Sequence, residues 1–264
     1  MKLDKDQGQS QLVDEAILDD ILQYGDLDGS EVVLEVGAGI GNLTIKLCKD
    51  AQRVVAIEKD PELFEVLKSR TAGIRNLRAR RADVMEIDLP DFDKVISNLP
   101  YSISSPVTFK ILREGFSEGV LMYQREFAKR MVASPDTDNY GRLSVSVYYR
   151  AKCKLLRDVP PQCFIPEPEV WSSLVKLVPR DPPFEVEDEG LFFRVVKASF
   201  QHRRQKLRNA LCNSFSLIKK DEDFEGDERN FIDEVLPEEF LHTRPAKITP
   251  EEYAEISNIL SEAL

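Results

Sequence analysis

VVLEVGAGIGN, residues 32–42, is the stretch whose reading decides the fold. Val32 to Val36 is an apolar run of strand length, and it stops at Gly37-x-Gly39-x-Gly41. Glycines there allow positive φ and a close backbone approach that any Cβ would block. LTIKLCKDA (43–51) then continues as a helix. A strand, a glycine turn and a helix open the repeating unit of an α/β sheet. A dinucleotide fingerprint, G-x-G-x-x-G, needs its third glycine at 42, where Asn42 stands.

The alternation continues outward from this unit. RVVAIE (53–58), NLRARRAD (76–83), DKVISNLPY (93–101) and GVLMYQ (119–124) read as strands. PELFEVLKSRTA (61–72), PVTFKILREG (106–115) and REFAKRMVAS (125–134) read as the helices between them, with Pro61 in a first helical turn. RLSVSVYYRA (142–151) and SSLVKLV (172–178) are late apolar or alternating runs, expected to pair as a hairpin-like edge. Residues 10–24, with Leu12, Ala16, Ile17 and Ile21 at helical spacing, predict an amphipathic helix. Repeated strand–helix alternation predicts a mostly parallel sheet with helices on both faces. PRDPPFEVED (179–188) reads as a linker, beyond which the strand signals vanish. Helices are expected in 191–211, 231–236 and 249–264, the last capped by Thr249 and Glu252. The expected domains are therefore residues 1–179 and a helical 180–264.

The composition is that of a globular protein, with 42% hydrophobic and 31% charged residues in 264. The polar N-terminus has no apolar leader segment and no run approaches a membrane span, so a cytoplasmic protein is expected. Four scattered cysteines without C-x-x-C spacing, and two histidines, point to reduced thiols and no metal site. The net charge of −11 hides its distribution. Residues 221–239 hold ten acids and one base, whereas 191–220 hold eight bases and no acid. Arg203, Arg204, Lys206 and Arg208 in that basic stretch are candidates for contact with a nucleic-acid backbone.

G-x-G-x-G suits an adenosine-bearing ligand without a pyrophosphate, the pattern of S-adenosylmethionine binders. Gly37 and Gly39 form its turn, and Glu58 ends the next strand, where a carboxylate can accept both ribose hydroxyls. Asp83 ends the third strand, and a short acceptor there suits the adenine amine. Asn98 ends the fourth and opens Asn98-Leu99-Pro100-Tyr101. Parallel strands deliver all four ends to one crevice. The Asn98 side-chain carbonyl and the Leu99 backbone carbonyl can accept hydrogen bonds from a target amine, and Pro100 fixes their direction. Tyr101 can stack on the target base, with Phe164 a candidate for the other face, or simply a core aromatic. Ser104 or Ser105 is expected to cap the helix that follows.

GQSQLVD (8–14), LEVGAGIGNLT (34–44), AIEKD (56–60), ISNLPYSISSP (96–106), VPPQCFIPEPEVWSSLVKL (159–177) and VVKASFQHRRQKLRNAL (195–211) together resemble the KsgA-type small-subunit ribosomal RNA adenine dimethyltransferases. The similarity runs from Gly8 to about Leu211. It implies a Rossmann-like S-adenosylmethionine-dependent methyltransferase fold, with a mostly parallel seven-stranded sheet and a small helical C-terminal domain. The implied reaction is double methylation of the exocyclic amines of two adjacent adenosines in the 3′-terminal hairpin loop of small-subunit rRNA. The implied partners are that rRNA and the immature small subunit, with the enzyme a monomer. Gln9, Ser10 and Leu12 fall on the family's cofactor-contacting segment; Gly37 falls on the methionine part, Glu58 on the ribose, Asp83 on the adenine and Asn98 between cofactor and amine. One departure is Gln11, where the family has an aromatic residue. Two readings stay open beside this one: a large-subunit rRNA methyltransferase of the macrolide-resistance type, which shares G-x-G-x-G and N-x-P-Y, and a ribosome assembly factor acting as an RNA-binding scaffold.

Overall fold

A computed structural model describes residues 10–219 and 226–264. Packing divides them into two units. The first holds the described residues through Ala128 together with Ala151–Pro179; the second holds Lys129–Arg150 and Arg180–Leu264.

The first unit is a sheet with flanking helices. In chain order it contains β1 (Gln11–Leu12), α1 (Glu15–Gly25), β2 (Val32–Val36), α2 (Asn42–Asp50), β3 (Arg53–Glu58), α3 (Pro61–Arg70), β4 (Leu77–Arg81), β5 (Lys94–Asn98), α4 (Ser104–Ile111) and β6 (Glu118–Gln124). The unit boundary falls in α5 (Arg125–Met131). After α6 (Arg142–Arg150), which belongs to the second unit, the chain re-enters the first as β7 (Ala151–Val159), β8 (Phe164–Ile165) and β9 (Ser172–Pro179). Seven strands lie in the order β4-β3-β2-β5-β6-β9-β7. The β4 to β6 half is parallel, β9 is antiparallel to both its neighbours, and β7 runs with the majority, so the sheet is mixed. Central β2 and β3 are almost wholly buried, while the two edge strands carry Arg78, Arg80 and Arg81 or Lys152, Lys154 and Arg157. Charged edges discourage pairing with another chain.

Two sequence expectations change here. Residues 10–14 are not helical: Gln11 and Leu12 pair with β8, and the Asp14 carboxylate caps α1 by accepting from Ile17 N at 3.0 Å. The run 142–150 is a helix rather than a strand, and the partner of β9 is Ala151–Val159. Ser144, Val145, Ser146, Val147 and Tyr149 of α6 are all buried. A helix enclosed on several faces loses its 3.6-residue signature, and valine alternating with serine then imitates a strand.

The second unit is helical, with α7 (Glu189–Gln201), α8 (Leu207–Asn213), α9 (Glu228–Val235), α10 (Glu238–His242) and α11 (Pro250–Ala263) alongside α6. Tyr140, Val145 and Tyr149 share its core with Phe192, Val195 and Tyr253. The expected boundary at 179–180 assigned residues 129–150 to the sheet; packing assigns them to the helices. The Thr249–Glu252 capping box at α11 is formed. No helix among the described residues is long and apolar enough to cross a membrane. No group of three or more His, Cys, Asp or Glu among them could hold a metal ion.

Candidate active site

The strand order reverses at β2. From it the chain runs through β3 to β4 on one side, then returns to place β5 on the other. Such a switch point opens a crevice at the carboxyl ends of the strands. Val36 N–H donates to Ser97 Oγ at 2.7 Å, joining β2 to β5 just before both strands end. Gly37 follows, with φ +74°. A Cβ on it would lie 2.8 Å from Pro100 Cδ. The proline ring of the Asn98–Tyr101 turn therefore rests directly on the glycine turn, a contact that only glycine permits.

This contact brings the strand ends around one cavity of about 520 Å³. Ser10, Gly37, Glu58, Asp83, Asn98, Leu99, Pro100 and Tyr101 line it, so eight of the expected site residues meet there. Glu58 is buried, with one carboxylate oxygen accepting from Gly39 N–H at 2.8 Å and the other from Asp60 N–H at 2.8 Å. Each oxygen keeps a further lone pair for a ligand. Burial raises its pKa, against the backbone donors that hold the ionised form. At Asp83, one oxygen accepts from Met85 N–H at 2.9 Å and the other from Lys59 Nζ at 2.7 Å. The lysine hydrogen bond lowers the Asp83 pKa, so its carboxylate stays an acceptor.

Asn98 closes β5, and its side-chain amide makes no hydrogen bond among the described residues. Leu99 is buried, which fixes the peptide whose carbonyl follows it. Pro100 has φ −59° and ψ 125°, and Tyr101 begins a single 3-10 turn. The Tyr101 hydroxyl lies 2.5 Å from Ser172 Oγ on β9, which pins the ring at the cavity wall. Ser104 is the first residue of α4, not its cap; Ile103 occupies the cap without a side-chain bond, because the 3-10 turn feeds the helix directly.

Gln9 lies outside the described residues. Leu12 sits in the core beneath the cavity, and Gly39 acts through its bond to Glu58. Gln11, the departure from the family pattern, lies across the glycine turn: its Oε1 accepts from Ile40 N–H at 3.2 Å, and a Cβ on Gly39 would meet it at 2.1 Å. Asn42 answers the missing third glycine. Its amide donates to Leu12 O at 2.8 Å, and its oxygen accepts from Arg70 at 2.7 Å, tying β1 to the turn. Phe164 is 1% exposed, within the core, and does not line the cavity. Pairing of β8 with β1 turns it inward, so the stacking role expected for it is not available in this conformation.

The basic stretch lies in the helical unit. Arg208 forms a two-pronged ion pair with Asp233, and Arg203 donates to Thr137 O at 2.8 Å. These two are structural struts rather than open cations. Arg204 and Lys206 are exposed, with Lys206 Nζ 3.5 Å from His242 Nδ1.

Glu35, the next-to-last residue of β2, does not line the cavity but is a buried acid that was not foreseen; an acid inside an otherwise apolar strand is the signal that could have found it. It is 2% exposed, accepts from Thr44 Oγ1 at 2.6 Å, and burial pushes its pKa up to about 8. Folded Glu35 thus keeps its proton up to about pH 8, whereas the unfolded chain loses it near 4.5. The folded state binds more protons between these values, so stability falls as pH rises from about 4.5 to about 8. Glu35→Gln, which keeps an acceptor for Thr44, is expected to remove this slope and to raise stability by a few kcal/mol at pH 8, with little change at pH 4.5. Urea denaturation midpoints of both proteins across that range check it.

A parallel-strand switch point with a glycine turn on one side and carboxylates on the next two strand ends is the fold of the S-adenosylmethionine-dependent methyltransferases. Within that class, the chain belongs to the ribosomal RNA adenine dimethylase family, whose sequence signature matches residues 1–240. It is 46% identical over 249 residues to a probable ribosomal RNA small subunit methyltransferase A of Methanosarcina acetivorans, covering 94% of this chain and 90% of that protein. The corresponding protein of Methanococcus maripaludis strain S2 is 40% identical, covering 100% of this chain and 98% of the relative. Among solved structures, a dimethyladenosine transferase from Plasmodium falciparum superposes with a TM-score of 0.78 at 28% identity, covering 95% of this chain and 96% of that one. The 23S rRNA methyltransferase ErmE shares the fold, with a TM-score of 0.67 at 23% identity, over 95% of this chain and 99% of its own.

Proposed function

We propose that the protein transfers methyl groups from S-adenosylmethionine to the exocyclic amines of two adjacent adenosines in small-subunit rRNA, twice on each. The single observation that supports this reading is the seating of Pro100 on Gly37, which sets the Asn98–Tyr101 turn against the cavity that Glu58 and Asp83 also line. The residues suit the cofactor. A cradle that a Cβ would fill lies beside a buried carboxylate with lone pairs to spare, and a second carboxylate is held ionised by Lys59. Glu58 would hold the ribose, Asp83 the adenine amine, and the Gly37 turn the methionine end. When bound, S-adenosylmethionine supplies an electrophilic methyl group.

The chain's own task is to prepare the acceptor. The lone pair of an adenine amine is delocalised into the ring. Hydrogen bonds from that amine to the Asn98 carbonyl and the Leu99 backbone carbonyl turn the pair out of the plane. Pro100 and the buried Leu99 side chain keep these dipoles fixed, so they need no reorganisation as charge develops on nitrogen. Tyr101, pinned by Ser172, provides a face for the base. After each transfer the nitrogen is acidic and releases its proton to water, so no dedicated strong base is needed.

The reading extends to a target in the 3′-terminal hairpin loop, to the immature small subunit as the bound particle, and to a cytoplasmic monomer as the acting form. A loop adenosine leaves its stack at lower cost than a paired one. Incubation with labelled S-adenosylmethionine and either immature small subunits or large subunits tests the reading. Label is expected in two adjacent adenosines of the small subunit alone; label confined to the large subunit, or none in either, overturns it.

Of the four candidate cations, Arg204 and Lys206 are the two left for phosphate contact. The double variant Arg204→Ala/Lys206→Ala is expected to weaken RNA binding and to lower the slope of log affinity against log salt by about 2. Arg208→Ala is expected instead to lower stability through the lost Asp233 pair. Filter binding at several salt concentrations separates the two effects, and an unchanged slope in the double variant removes these residues from the interface.

A further inference from the structure

The apolar surface on the β8–β9 connection is not used by the chemistry above. Ile165, Val170 and Trp171 are all exposed there, the indole at 44%. Exposing a large aromatic ring forgoes burial worth about 2 kcal/mol or more. The ring is nevertheless well held. Trp171 O accepts from Arg125 N–H at 2.8 Å, and the Arg125 guanidinium lies 5.6 Å from the indole centroid. The next residue, Ser172, is the one that pins the Tyr101 hydroxyl. Because β9 is antiparallel, it starts at the edge where β2, β5 and β6 end, the edge that carries the cavity. Trp171 therefore stands on the rim beside the wall that would hold the target base.

We propose that Trp171 is a stacking platform for the unpaired base next to the adenosine in the crevice, positioning the RNA so that neighbouring adenosines are presented in turn. This rests on the proposed reaction. The contact is with a base rather than a phosphate, since Glu167 and Glu169 in the same connection repel the backbone, and Arg125 lies over the indole with its Nε 3.9 Å from the Glu126 carboxylate. Every base has a π-face, so stacking holds the neighbour whether or not it is already methylated.

Trp171 is the only tryptophan of the chain, so its fluorescence reports the contact directly. The experiment compares wild type, Trp171→Ala and Trp171→Phe in methylation of immature small subunits. It adds fluorescence titration of the wild type with an RNA hairpin bearing two adjacent loop adenosines. Expected are a KM for the subunit raised about tenfold in Trp171→Ala and largely restored in Trp171→Phe. Cofactor affinity and kcat should stay within twofold, the salt slope should be unchanged, and the hairpin should quench the wild-type fluorescence. A KM within twofold of wild type in Trp171→Ala, or a hairpin that binds without altering the fluorescence, overturns the platform while the reaction stands. Failure of the wild type to methylate small subunits overturns the reaction itself, and the platform with it.

Discussion

Asn98→Ala is expected to slow methyl transfer by about 10²–10³-fold while leaving S-adenosylmethionine affinity within about threefold. The asymmetry follows from where Asn98 sits. It closes β5 at the switch point and lines the cavity beside Pro100, while Glu58 and Asp83 hang from β3 and the end of β4. The ribose and adenine contacts proposed for the carboxylates survive its loss. What disappears is one of the two fixed acceptors proposed to redirect the amine lone pair. The Leu99 carbonyl remains, so turnover falls by the loss of one preorganised dipole and is not abolished. Since the Asn98 side chain bonds to nothing else among the described residues, the variant should unfold within a few degrees of wild type. Single-turnover methylation with the variant saturated in cofactor and RNA isolates the chemical step, and cofactor titration gives the affinity. Near-normal turnover removes Asn98 from the mechanism.

Residues whose position is announced by local pattern were legible in the sequence. The glycine turn, Glu58, Asp83 and Asn98 each end a strand run, and parallel topology then forces them to a common edge. Residues whose role depends on a distant partner were not. Gln11 lies over the glycine turn because β1 pairs with β8, a contact across more than 150 positions that no window of sequence reveals. Arg208 read as an open cation because its partner, Asp233, lay in a stretch that showed only as a block of acid. Phe164 read as a possible stacking face until register placed it inside the core, whereas Trp171, a few positions on, carried no local signal that it would stay exposed. Helix α6 failed for the opposite reason: its local pattern was clear, but burial on several faces gave it a strand's rhythm.

Glu58→Ala is expected to weaken S-adenosylmethionine binding by about 10²-fold or more and to leave kcat at saturating cofactor within about fivefold. Two hydrogen bonds from ribose hydroxyls to an ionised carboxylate are worth roughly 1.5–3 kcal/mol each, which sets the lower bound on the affinity loss. The same carboxylate also accepts from Gly39 and Asp60, so its removal strips two backbone N–H groups of their partner. That part of the effect is separable. Glu58→Gln keeps one oxygen acceptor and places an amide donor where the other stood, so it clashes with one backbone N–H but can still engage one ribose hydroxyl. The order of cofactor affinity should be wild type, then Gln, then Ala. A deoxyribose analogue of the cofactor should lose affinity against wild type and almost none against Glu58→Ala, since the hydroxyl it lacks then has no carboxylate to meet. Calorimetric titration of the three proteins with both compounds gives the double-mutant cycle. If the analogue loses as much affinity with Glu58→Ala as with wild type, Glu58 serves only to hold the glycine turn and the ribose is read elsewhere.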